Sequence, residues 1–144
     1  MTRRTRALLC LIKIQDAEKS HAKKNLVLAR ELERHASHEV SLAETTMSQE
    51  RAITEQGQTE LDDFRRWFPI GLGAIDQARE ILDQAALSAE TARTNALRAT
   101  LRHKATQDVF QRRAKERNDS ALRREHAELD ELARRHALNE TFTY

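Results

Sequence analysis

A seven-residue repeat with alternating steps of four and three runs from Leu8 through Ile12, Gln15, Lys19, Ala22, Leu26, Ala29, Glu33, Ala36, Val40, Ala43, Met47, Glu50, Thr54, Gly57, Leu61 and Phe64 to Phe68. Twelve of these eighteen positions are apolar. A register that keeps its phase this long places one stripe of side chains along a helix that winds around a partner helix. Gln15, Lys19, Glu33, Glu50, Thr54 and Gly57 weaken the stripe without shifting it.

A second register runs through Ile75, Ala78, Leu82, Ala85, Ala89, Ala92, Ala96, Ala99, His103, Thr106 and Phe110. It loses phase in the polar stretch from Gln111 to Ser120 and resumes, shifted, at Leu122, Leu129 and Leu132. Between the registers lies Phe68-Pro69-Ile70-Gly71-Leu72-Gly73, where Pro69 disfavours helix for Phe68 and two glycines relieve a tight turn. Gly57 is read as helical because the first register continues across it. The reading is therefore all-α: two long helices in an antiparallel coiled-coil hairpin over 1–138, with helix 1 about 5–67, the turn at 68–73, helix 2 about 74–138 and a frayed tail at 139–144. Facing positions should then sum to about 141, which sets Phe110 opposite Glu31 to Glu33 and Leu129 to Leu132 opposite Leu9 to Ile12.

Composition agrees with a thin seam in place of a thick core. Of 144 residues, 39% are hydrophobic and 33% charged, and only three Gly and one Pro interrupt the chain. Much of the apolar share is alanine, a strong helix former that buries little surface. The single Cys10 excludes an internal disulfide. No apolar run approaches a bilayer span, and Lys13 and Asp16 cut short the apolar stretch after the basic start, so the expectation is a cytoplasmic protein with no cleaved leader.

Residues able to do chemistry do not converge. His35 and His38 stand at i, i+3 without a third His or Cys on their face, and Glu39 is read as pointing elsewhere. His126-Ala-Glu128 lacks the paired cysteines of a zinc deaminase, and Gly71-Leu-Gly73 lacks the strand and lysine of a phosphate loop. No nucleophile with a plausible base emerges, so no enzyme activity, metal or cofactor is expected.

Two features stand out. Phe64, Trp67 and Phe68 place three of six aromatic residues in five positions beside Ile70 and Leu72. Phe64 and Phe68 fit the seam, whereas Trp67 is off it, either as an exposed anchor or as part of a local tip core sealed by Ile70 and Leu72. From Arg98 to Arg124, nine basic residues face three acidic ones, and Arg3, Arg4 and Arg6 fall at the same end. A solvated face is the ordinary reading of such a run; docking onto an acidic protein surface is the functional one. Nucleic acid ranks third, because stacking aromatics are absent there and the total charge is only +2.

The length, the basic start leading into Leu8-Leu-Cys-Leu-Ile-Lys-Ile14, the aromatic-containing turn before Leu72-Gly-Ala-Ile75 and the closing Glu128-Leu-Asp-Glu-Leu-Ala-Arg-Arg-His-Ala-Leu138 resemble the FliJ/YscO/HrpO family, the stalk proteins of type III secretion and flagellar export. The resemblance implies a hairpin similar to the paired helices of the rotary ATPase γ subunit. Its terminal end enters a hexameric export ATPase, its turn side reaches the export gate, and some members handle secretion chaperones. By position, Arg3, Arg4, Arg6, Arg123, Arg124, Arg134 and Arg135 would belong to the ATPase-facing end, and Trp67, Ile70 and Leu72 to the gate-facing tip. Such a protein would be non-enzymatic, monomeric when free, and peripheral to the membrane-embedded apparatus without inserting in the membrane or binding nucleic acid. The competing classes are a homo-oligomeric coiled-coil scaffold or export chaperone, and a helical binder of nucleic acid or membrane surfaces.

Overall fold

The chain is described from a computed structural model covering residues 2–57 and 60–142. Two helices, α1 (Arg3–Glu55) and α2 (Leu61–Thr141), pack against each other in an all-α hairpin, and no strand occurs among the described residues. The hairpin is the expected fold, but the chain reverses at a different place. Gly57 ends α1, and α2 runs unbroken through 68–73 with Pro69 inside it. The expected helix bounds at 67 and 74 are thereby corrected to 55 and 61.

The local reason is backbone geometry. Gly57 has a φ of +74°, the left-handed conformation that glycine supplies at helix C-termini without steric cost. The last turn tightens around it: the Gln56 N–H donates to the Ala52 carbonyl (3.0 Å) and the Gly57 N–H to the Thr54 carbonyl (3.1 Å). At the start of α2 the Phe64 N–H donates to the Glu60 carbonyl (3.2 Å), and Asp62 and Asp63 set negative charge against the helix N-terminus. Gln58, between these signals in the sequence, lies outside the described residues. Pro69 forfeits one helical hydrogen bond and sits on the exposed face, where its ring displaces no seam contact.

Contacts divide the chain into a turn unit, Asp16–Leu101, and a terminal unit, Met1–Gln15 with Arg102–Tyr144. In the turn unit the half-buried or buried positions of α1 are Lys19, Ala22, Leu26, Ala29, Glu33, Ala36, Val40, Ala43, Met47, Glu50, Ile53 and Thr54. All but Ile53 are members of the expected first register. On α2, Ile75 through Ala99 follow the second register position by position, and Phe64, Phe68 and Gly71 extend the same stripe backwards. Phe64 and Phe68 thus serve the seam as expected, but from the second helix. The seam is thin: the buried apolar residues are Ala36, Val40, Met47, Ile75, Ala89 and Ala96, and none has a large side chain sealed from solvent. Arg79 reaches across to Glu44 at 2.9 Å, and a Cβ on Gly71 would lie 2.9 Å from the Met47 methyl. Facing numbers in this unit therefore sum to roughly 120, in place of the expected 141.

In the terminal unit, Thr5, Leu8, Leu9, Ile12 and Gln15 of α1 are covered along with His103, Thr106, Val109, Phe110, Ala114 and Ser120 of α2. Helix continues without interruption through 111–120, where Arg117 donates to Thr5 Oγ1 at 2.8 Å. Phe110 is accordingly beside Leu8, and not beside Glu31 to Glu33. Every described residue after Ser120 is exposed, so Leu129 and Leu132 do not face Leu9 to Ile12 as expected. Pairing ends near Ser120 instead of reaching 138. The expected frayed tail at 139–144 is corrected at its first three residues, since α2 includes Asn139, Glu140 and Thr141, whose hydroxyl bonds the Leu138 carbonyl at 2.8 Å. Thr143 and Tyr144 lie outside the described residues.

The three glycines separate these effects. Gly73 has open space where a Cβ would sit, so Gly73→Ala should add about 1 kcal/mol of stability in urea unfolding. Gly71→Ala should fall at or below the wild type, because its Cβ would meet the Trp67 ring at 2.8 Å. Gly57→Ala should cost about 1 kcal/mol or more through its positive φ. Equal gains at 57 and 73 would place residue 57 inside a helix and contradict the turn.

The exposed stretch 121–141 has no covered face, and most helical stability in proteins comes from packing such a face. Amide exchange should be fastest there among the helical residues and slowest around 85–100. Comparable protection in the two stretches would show that 121–141 is covered in solution.

Candidate partner-binding surfaces

The charge of the chain is not spread evenly over its two units. The terminal unit holds fourteen Lys or Arg against eight Asp or Glu, a net of +6; the turn unit holds eleven against fifteen, a net of −4. Within the terminal unit the excess lies where the helices pair. Residues 1–15 and 102–120 carry ten basic and three acidic groups, a net of +7, while 121–144 carries four and five. The near-neutral total conceals this partition.

Arg3, Arg4 and Arg6 lie in about the first turn of α1 and are exposed. Arg123, Arg124, Arg134 and Arg135 lie on the exposed stretch of α2 past the last paired residue. Both groups belong to the terminal unit. Arg135 Nε is held by Glu131 at 3.3 Å, and Arg123 Nε donates to the Asp119 carbonyl at 3.3 Å. Arg124 and Arg134 make no ion pair among the described residues. The basic residues of α2 that line a groove with the start of α1 are others, Arg113 and Arg117, which the sequence offered only as members of a charge run.

Leu122, Leu129 and Leu132 are each more than half exposed. At 100° per residue Leu122 and Leu129 lie roughly 80–120° round the helix from His103 and Phe110, while Leu132 lies within roughly 40° of them. Leu122 and Leu129 therefore point away from the direction of the α1 seam. Arg135 with Glu131 and His136 with Glu140 (3.2 Å) are helix-surface pairs at i, i+4 that support the helix locally.

Near the turn, Trp67 is not the free anchor that one sequence reading made of it. It is half-buried, tilted against Phe64 at a centroid distance of 6.1 Å, and its ring covers Gly71. The alternative of a tip core sealed by Ile70 and Leu72 is corrected as well: the ring packs on Phe64 and Gly71 instead. Ile70 and Leu72 remain exposed, at 69% and 42%, to either side of the seam stripe. Leu61, 54% exposed, joins them as an apolar residue the sequence reading had assigned to the seam.

Chemistry stays dispersed. His35 Nε2 lies 3.9 Å from Glu39 Oε1, so Glu39 turns toward the histidine and not away from it as expected. No group of three or more metal-binding side chains exists among the described residues. Gly71 and Gly73 are helical, which leaves no loop to hold a phosphate. Among the described residues no helix is long and apolar enough to cross a membrane.

No family model, no curated protein and no solved structure matches this chain.

Proposed function

We propose that this protein is a non-enzymatic stalk or adaptor of a type III secretion or flagellar export system, linking a hexameric export ATPase to the export gate and promoting ATPase activity. The observation that carries the reading is the terminal unit: a helical pair with a net charge of +7, continued by an exposed arginine-bearing helix from 121 to 141. A projecting helix reaches into a ring without unpairing the hairpin. Long Arg side chains suit contact with several subunits in turn, since each guanidinium grips a carboxylate with two hydrogen bonds. Attraction of this kind raises association rates and weakens with salt. The ATPase-facing residues are Arg3, Arg4, Arg6, Arg123, Arg124, Arg134 and Arg135, and the gate-facing ones are Ile70 and Leu72. Trp67 contributes by holding the helices together beneath them. On this reading the protein is cytoplasmic, peripheral to the apparatus, and monomeric when free.

A homo-oligomeric scaffold or export chaperone is the second reading, favoured by the exposed stripe of Leu122, Leu129 and Leu132. Light scattering separates the two by mass.

Charge reversal at Arg123, Arg124, Arg134 and Arg135 should abolish stimulation of phosphate release by a cognate hexameric ATPase at low salt while leaving helicity by circular dichroism unchanged. Ile70→Ser with Leu72→Ser should spare that stimulation and weaken binding to the export gate. Undiminished stimulation by the folded charge-reversed protein would remove these arginines from the mechanism. Absence of stimulation by the wild type, together with a stable oligomer, would favour the scaffold.

A further inference from the structure

In the terminal unit the first turn of α1 and residues 110–120 of α2 enclose an open groove of about 450 Å³. Leu8 and Phe110 supply its apolar lining, and Arg4, Arg113 and Arg117 line it together with the hydroxyl residues Thr2 and Ser120. Glu116 is the single carboxylate on the lining. Arg4, Arg113, Arg117 and Glu116 make no ion pair among the described residues, so none of the three guanidinium groups is paired with a carboxylate there.

Arg117 is fixed in place by neutral oxygens. Its Nη1 donates to Thr5 Oγ1 at 2.8 Å and its Nε to the Arg113 carbonyl at 3.3 Å. Thr5, only 8% exposed, is itself held by Thr2, whose Oγ1 lies 2.8 Å from Thr5 Oγ1 and accepts the Thr5 N–H at 3.3 Å. A buried hydroxyl that orients a guanidinium without cancelling its charge reduces the entropy lost when that guanidinium binds an anion. A guanidinium has five N–H donors, so about three remain for a ligand.

We infer that this groove is a binding site for a phosphate dianion, free or as a monoester, held by Arg4, Arg113 and Arg117. The charge fits: three arginines less Glu116 leave +2, and a phosphate monoester carries about −1.5 to −2 near neutral pH. A carboxylate or a phosphodiester supplies only one negative charge and leaves the groove cationic. The N-terminus of α1 adds a favourable dipole at the same place. The site does not depend on the stalk reading, because none of its geometry involves the exposed extension.

The test is titration of the full-length protein with inorganic phosphate, with phenyl phosphate, and with dimethyl phosphate as the singly charged control. Arginine side-chain Nε resonances are followed by NMR in a constant chloride background. Saturable shifts should appear at Arg4, Arg113 and Arg117 but not at Arg134, with both dianions binding more tightly than dimethyl phosphate. Arg4→Ala and Arg113→Ala should each weaken phosphate binding about tenfold. Thr5→Val should weaken it less, by loosening Arg117. Preference for phenyl phosphate over the free ion would identify a monoester as the ligand, and the reverse order the free ion. Shifts spread over all exposed arginines in proportion to total charge, or unchanged affinity in both exposed-arginine variants, would overturn the site. Since Arg4 and Arg113 lie on the surface, their variants test it even if Thr5→Val disturbs the fold.

Discussion

Gly57 takes a φ of +74°, a backbone conformation that would strain a side chain there, and by ending α1 at Glu55 it fixes which residue of α2 meets which residue of α1. Because α1 spans 53 residues and α2 spans 81, an early reversal leaves the second helix longer than its partner can cover. Had the chain turned at Pro69, the arms would have been nearly equal and the leucines after Ser120 would have had a seam to enter. One left-handed residue therefore decides both the pairing of the hairpin and the existence of its exposed extension.

The seam that results is long but shallow. Alanines at Ala36, Ala89 and Ala96 let the helices approach, yet each removes little apolar area from water. Stability must come from many small contributions, with the aromatic group of Phe64, Trp67 and Phe68 supplying the largest local surface near the turn. Gly71 permits that group: the Trp67 ring lies where a Cβ would project. Pro69, whose place inside a helix costs roughly 3 kcal/mol, lies between the covered Phe68 and Gly71 and does not divide α2. Cross-helix charge contributes little, since the Arg79 and Glu44 pair is about half exposed on both sides. Charge instead marks the units by sign, with the acidic excess in the turn unit and the basic excess in the terminal unit.

Much of this was legible in the sequence, because a four-three repeat is a direct image of a helix seam. Every register member from Leu8 to Thr54, and from Ile75 to Phe110, is covered as the spacing implied. The turn was not legible by the same means. Thr54, Gly57, Leu61 and Phe64 happen to keep the spacing across the reversal, so an unbroken phase disguised a change of helix. Two glycines beside a proline outweighed one isolated glycine on paper, but both of the former accept helical geometry while the latter ends one. Side-chain packing decided Trp67, and the wrong turn displaced every expected pairing by about twenty residues. Arg113 and Arg117 were visible only as charges, because their place beside Thr2 and Thr5 depends on that pairing.

Distances between spin labels in the Cys10→Ala background test the position of the turn most directly. With the reversal at Gly57, cysteines replacing Glu44 and Arg79 carry labels on facing residues, and labels at Glu44 and Arg98 are separated by about twenty residues of helix, or roughly 30 Å along its axis. The account predicts a short distance for the first pair and a long one for the second. A long Glu44–Arg79 distance with a short Glu44–Arg98 distance would move the turn to Pro69 and contradict it.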